Sequence, residues 1–264
     1  VLYVDDSSNW HQAARLLADY VRKVGGEVTV TSAALLAGTR RRVMEQAKAI
    51  LALPEGQVRM EGRAGLVEHV LPDVAREVDA DVVVVGRLGA ADRVTSGLIG
   101  HLIVKRTPCS VLIARGKPDS IRSVLVCTEG SRHGTENFRR AARIAKSFGA
   151  RLTVLHVLSQ MSLLAHEPGP TQKEFLASDD PVAAHLKELQ RRMREDGIEG
   201  EVQVRQGLVV EEVLDALREG KHDLLVIGAH ETTEEKAVLY DDIASHILRS
   251  SPVSTLVVRD RSRR

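Results

Sequence analysis

Two short stretches hold residues whose types and spacing could handle an anion. Asp5 follows the apolar run Val1-Leu2-Tyr3-Val4 and stands in a turn with Ser7. Far along the chain, Gly86-Arg87-Leu88-Gly89 follows Val82-Val83-Val84-Val85. Glycines directly after a strand let backbone amides approach a phosphate, and a helix that follows adds its positive end. A carboxylate and a glycine loop of this kind would bind a polar ligand rather than transform it. No Gly-x-Ser-x-Gly elbow, no Gly-x4-Gly-Lys-Ser/Thr loop and no His-x-x-x-His pair occurs, so nucleophilic, Walker-type and zinc chemistry are not expected.

The elements that must position these residues occur twice. Val124-Leu125-Val126-Cys127-Thr128-Glu129-Gly130-Ser131 repeats the opening run, with Glu129 in place of Asp5. Each run precedes a helical pattern, with Ala13, Leu16, Leu17, Tyr20, Val21 and Val24 on one face in the first copy. In the second copy the face is Phe138, Ala141, Ala142, Ala145 and Phe148, and the patterns stop at Gly25-Gly26 and Gly149. Gly65–Gly86 pairs with Gly207–Gly228, and Pro108–Ala114 pairs with Pro252–Val258. Each copy reads as alternating strands and helices. Continuous apolar strands alternating with helices imply a parallel sheet covered on both faces. The expected architecture is therefore α/β: two tandem, doubly wound, five-stranded parallel sheets, domain 1 over 1–116 and domain 2 over 121–260. In such sheets a ligand sits at the carboxyl ends of the strands where strand order reverses, here after the first and fourth strands of a copy.

Composition agrees. Of 264 residues 43% are apolar and only 3% aromatic, so the cores must be aliphatic. Lys and Arg number 37 against 36 Asp and Glu, which leaves a net charge of +1 and argues against a dedicated nucleic-acid binder. Arg40-Arg41-Arg42, Arg191-Arg192 and the tail Arg259–Arg264 read as solvated faces and a frayed end. No run reaches the ~20 apolar residues of a membrane span, and the chain opens without a basic or apolar leader, so a cytoplasmic location is expected. Cys109 and Cys127 read as buried thiols. Residues 160–180, with Pro168, Gly169 and Pro170, read as a long surface loop inserted in the second copy.

The ordered set resembles the universal stress protein family, in a tandem two-domain form. The set comprises the acid-turn-Ser after strand one, the Gly-x-x-Gly after strand four and the closing Pro-x-x-Val-Leu-Ile strand, all found in duplicate. The resemblance implies a fold like that of adenine-nucleotide alpha-hydrolases and flavodoxins, with the copies related by a pseudo-twofold axis and their last strands, Val111–Ala114 and Thr255–Val258, meeting at the edges. It also implies a non-catalytic stress-response role, ATP, ADP or AMP as ligand of domain 1, and a homodimer with protein partners not specified.

Family members that bind nucleotide carry Gly-x2-Gly-x9-Gly-Ser/Thr. Here the first copy has Gly86-x2-Gly89-x7-Gly97-Leu98, two residues short and without the hydroxyl; counting to Gly100-His101 gives a spacing of ten. By resemblance Asp5 would meet adenosine, Val85 and Gly86 the base and ribose, and Gly89 and Gly97 the phosphates. The plain alternative is that these glycines permit a tight turn and a close helix–strand contact. In the second copy the spacing survives as Gly228, Glu231, Asp241 and Asp242, but three carboxylates replace the phosphate ligands. Each like-charge pair at about 6 Å costs roughly 2–3 kcal/mol at an effective dielectric near 20. His230 and these acids do not form a recognisable metal set, so no metal is expected. A nucleotide-independent interaction module stays open as the alternative, and a weak ATPase is the least favoured reading because no general base is evident.

Overall fold

The computed structural model describes residues 1–86, 93–116, 120–130, 132–159, 170–229 and 243–259. It divides into two compact units, Val1–Ser120 with Ser254–Arg264, and Ile121–Val253.

In unit 1 the strands are β1 (Leu2–Tyr3), β2 (Val28–Ser32), β3 (Val58–Gly62), β4 (Val82–Val85) and β5 (Ser110–Ile113). They alternate with α1 (His11–Val24), α2 (Ala37–Leu51), α3 (Val67–Glu77) and α4 (Arg93–Arg106). The sheet order is β3-β2-β1-β4-β5, every neighbour parallel, so the order reverses between β1 and β4. This is the doubly wound sheet that the alternation of elements predicts. The core is aliphatic: α1 contributes Ala13, Ala14, Leu17, Ala18 and Val21, and α2 contributes Val43, Met44, Ala47 and Leu51. Helix α1 ends where Gly25 turns to φ 83° and its N–H reaches the Val21 carbonyl.

By sequence the strand β10 (Ser254–Val258) closes the second copy, yet by contact it belongs to unit 1. It runs antiparallel to β5, Leu256 opposite Leu112. The last strands thus meet as the family resemblance implied. The pairing is fixed by side chains as well: Ser254 Oγ accepts from the Arg115 N–H and donates to its carbonyl, and the Arg259 N–H reaches Ser110 Oγ at 3.2 Å. It covers an edge whose residues Cys109, Val111 and Ile113 are buried and could not face water unpaired.

Unit 2 holds β6 (Ser123–Cys127), β7 (Arg151–Ser159), β8 (Gly200–Gly207) and β9 (Leu224–Gly228), all parallel in the order β8-β7-β6-β9. Its helices are α5 (Arg132–Phe148), α6 (Gln172–Ala177), α7 (Pro181–Glu195) and α8 (Val209–Gly220). Here one expectation is corrected. The insertion is not loop throughout; 160–169 lie outside the described residues, but α6 follows at once. Thr171 and Glu174 form a reciprocal capping box, and Phe175 is buried. Then Asp180 caps α7, with Pro181 at its first position. On α7, Arg191 and Arg192 are exposed, as the sequence suggested, and are held by Glu188. Among the described residues no helix is long and apolar enough to cross a membrane.

Candidate functional site

The register Leu2↔Val84 brings the carboxyl ends of β1 and β4 level, so the loop that carries Asp5 and the one that begins at Gly86 both leave the sheet at the switch point of unit 1. Val85 is fully buried, its carbonyl bonded to the Ala114 N–H, so it presents no side chain to a ligand. Gly97 and Leu98 lie on the backbone of α4, and Gly89 lies outside the described residues. In unit 2, Gly228 ends β9, while Glu231, Asp241 and Asp242 fall outside the described residues.

The loop after β1 is built from its own polar groups. Asp5 Oδ1 accepts from the Ser7 N–H at 2.9 Å and the Ser7 hydroxyl at 2.5 Å, and Ser7 Oγ accepts from the Asn9 N–H. The indole of Trp10 donates to the Asp5 carbonyl at 2.9 Å and is itself only 2% exposed. Behind this loop stands Gly86. A Cβ there would lie 2.4 Å from the Asn9 carbonyl oxygen and 2.7 Å from Trp10 Cα. The glycine therefore has a packing reason: it admits the backbone at the start of α1. Sequence reasoning missed Trp10 and Asn9. The signal was present, since a lone Trp in an aliphatic chain, five residues after the acid, must find a partner for its N–H once buried. The field here is acidic. Burial first, then Asp5, Asp6 and Glu68, push the Tyr3 phenol well above its usual range.

Unit 2 repeats the pattern with different groups. The Thr128 N–H continues the ladder onto Leu155, and Thr128 Oγ1 accepts from the Gly130 N–H. Gly134 of α5 sits so close that a Cβ would be 2.1 Å from Thr128 Oγ1. Gly228 faces the amide of the buried Asn137, where Gly86 faces backbone in unit 1. His156 Nδ1 lies 2.9 Å from the Thr128 carbonyl, which can only accept, so that nitrogen carries the proton. Its ring stacks on Phe175, with centroids 6.1 Å apart. Nearby, His185 Nε2 is buried without a partner among the described residues. Burial pushes Cys127 up to about 12, so it is no thiolate. No group of three or more metal-ligating side chains occurs among the described residues.

Two imidazoles should give this unit a pH response. Burial, more than any neighbouring charge, lowers His185 and His222 below the usual 6.5. Their folded values lie below the unfolded one, so on acidification the unfolded chain takes up protons first. Stability is full above about pH 6.5 and is lost below it until the folded imidazoles also titrate. Denaturant midpoints should fall between pH 7.5 and 5.5, and His185→Gln with His222→Gln should remove much of that fall. An unchanged slope in the double variant would assign the effect elsewhere.

A parallel α/β unit whose strand order reverses between β1 and β4 belongs to the class of doubly wound sheets, which as a class take ligands at strand ends. The universal stress protein family model matches residues 120–259, more than half of the chain, and the chain belongs to that family. It is 23% identical over 150 residues to a universal stress protein of Methanocaldococcus jannaschii, covering 56% of this chain and 87% of that one. The fold is shared with a universal stress protein of Archaeoglobus fulgidus, at a TM-score of 0.68 and 17% identity, over 98% of this chain and 95% of that one. A Pseudomonas aeruginosa protein of unknown function has the same fold, at a TM-score of 0.73 and 13% identity, over 99% and 92% of the chains.

Proposed function

We propose that this is a non-catalytic stress-response protein whose unit 1 binds an adenine nucleotide (ATP, ADP or AMP) and which associates with a second copy of itself. The observation that carries the nucleotide reading is the reversal of strand order between β1 and β4, with Asp5 in the loop after the first and Gly86 directly after the second. Gly89, Gly97 and Leu98 supply the phosphate side of that proposed cleft, shortened and lacking a hydroxyl. A ligand held only by the folded chain stabilises it, by about 2.7 kcal/mol at a hundredfold excess over Kd.

Titration of the full chain with ATP, ADP and AMP by calorimetry tests this. One of them should bind with Kd below about 1 mM, and Gly89→Glu should abolish the heat. Failure of all three would leave the second reading, a nucleotide-independent interaction module. That reading is favoured by Asp5 Oδ1, which is already committed to Ser7, and by the carboxylates around Tyr3.

A further inference from the structure

The two units treat the outer edge of their sheets differently. In unit 2 the edge strand is β8. Leu152 N–H bonds to the Glu199 carbonyl, so the even-numbered residues of β8 turn their backbone groups outward. Gln172 of α6 meets them: its Oε1 accepts from the Val204 N–H at 2.8 Å and its Nε2 donates to the Val202 carbonyl. One side-chain amide thus stands where a further strand would pair.

In unit 1 the edge strand is β3. Val28 N–H bonds to the Gln57 carbonyl and Arg63 N–H to the Ser32 carbonyl, so odd-numbered residues face β2. The backbone groups of Val58, Met60 and Gly62 therefore point outward, and no described residue serves them as Gln172 serves β8. Exposed apolar side chains lie on β3 and in the loops that follow β2 and β3, which the Gly65 N–H ties together at the Ala33 carbonyl. Leu35, Leu36, Met60 and Leu66 are 78, 73, 40 and 63% exposed, four of the seven large exposed apolar residues of the described chain. Such clustering marks an interaction surface.

We propose that β3 pairs antiparallel with β3 of a second copy, centred on Met60, joining two chains through this edge. The sequence is self-complementary in that register, with Val58 opposite Gly62, Arg59 opposite Glu61 and Met60 opposite itself. The outward groups of Val58, Met60 and Gly62 fall at hydrogen-bonded pairs. Arg59 and Glu61 fall at the intervening pairs, where side chains approach most closely and opposite charges stabilise. Arg59 at present holds Glu27 at 3.0 Å with both side chains more than half exposed, a bond easily exchanged. Five residues with charges on one face would normally protect an edge; here the charges complement their own symmetry mates.

This inference rests on the self-association proposed above, and the test separates the two. Sedimentation equilibrium of the full chain should show a concentration-dependent dimer. Met60→Pro removes only an outward N–H and leaves the ladder to β2, so it should fold and sediment as a monomer. Arg59→Glu and Glu61→Arg should each raise the dissociation constant about tenfold. An equimolar mixture of these two variants, whose strands are again complementary, should recover wild-type affinity. A dimer indifferent to Met60→Pro and Arg59→Glu would overturn this edge while leaving self-association standing. A wild-type chain monomeric at every concentration would overturn both.

Discussion

Replacing Trp10 by alanine should cost unit 1 about 3–5 kcal/mol, the range for removing a fully buried large aromatic. The residue is the single tryptophan of the chain and sits in the core with Leu2, Val4, Ala13 and Ala14. Its removal leaves a cavity and frees the Asp5 carbonyl from its only indole donor. A domain of ordinary stability, 5–15 kcal/mol, would be left near its threshold. Trp10→Phe keeps most of the volume and loses the N–H, so its cost should be nearer 1–2 kcal/mol. Circular dichroism against denaturant measures both, since fluorescence disappears with the indole. Equal costs for the two variants would show that the hydrogen bond, not the ring, holds the loop; a cost under about 1 kcal/mol for alanine would remove Trp10 from the core altogether.

The sheet was legible from sequence because parallel strands covered on both faces leave unbroken apolar runs such as Val82–Val85, and because the pattern occurs twice. The switch point followed from that order, and with it the place of the loops that hold Asp5 and Gly86. What escaped depends on contacts between segments distant in the chain. Gly86 looked like a phosphate glycine, yet its neighbour is the backbone of Asn9 and Trp10, which no local pattern encodes. Helix α6 was hidden because Pro168, Gly169 and Pro170 before it and Pro181 after it read as loop, while its own signal is only a Thr171-x-x-Glu174 box around one buried Phe175. The open edge of β3 became visible only by contrast with Gln172 on β8. In the same way His156, a polar residue inside a strand, gave no hint of the Thr128 carbonyl that accepts its proton.

Gly86→Ala should be the most damaging glycine-to-alanine change among the described glycines of unit 1, at about 3 kcal/mol, the upper end for overpacking. The three atoms nearest to such a Cβ, Asn9 O at 2.4 Å, Asn9 C at 2.6 Å and Trp10 Cα at 2.7 Å, all belong to the backbone and cannot rotate away. The start of α1 must move instead, and with it Trp10 and the Asp5 turn. Gly228→Ala in unit 2 should cost less, because it meets the side chain of Asn137, which can turn. Gly38→Ala in α2, with nothing within 4 Å, should be neutral or stabilising by up to about 1 kcal/mol. The ordering Gly86, Gly228, Gly38, read from denaturant midpoints of the ligand-free chain, also separates two explanations of the first glycine. If Gly86 is there to admit α1, the loss appears without any nucleotide present. If it is there to admit a nucleotide, ligand-free Gly86→Ala should be as stable as wild type and only the calorimetric affinity should fall; that outcome would overturn the packing role assigned to it.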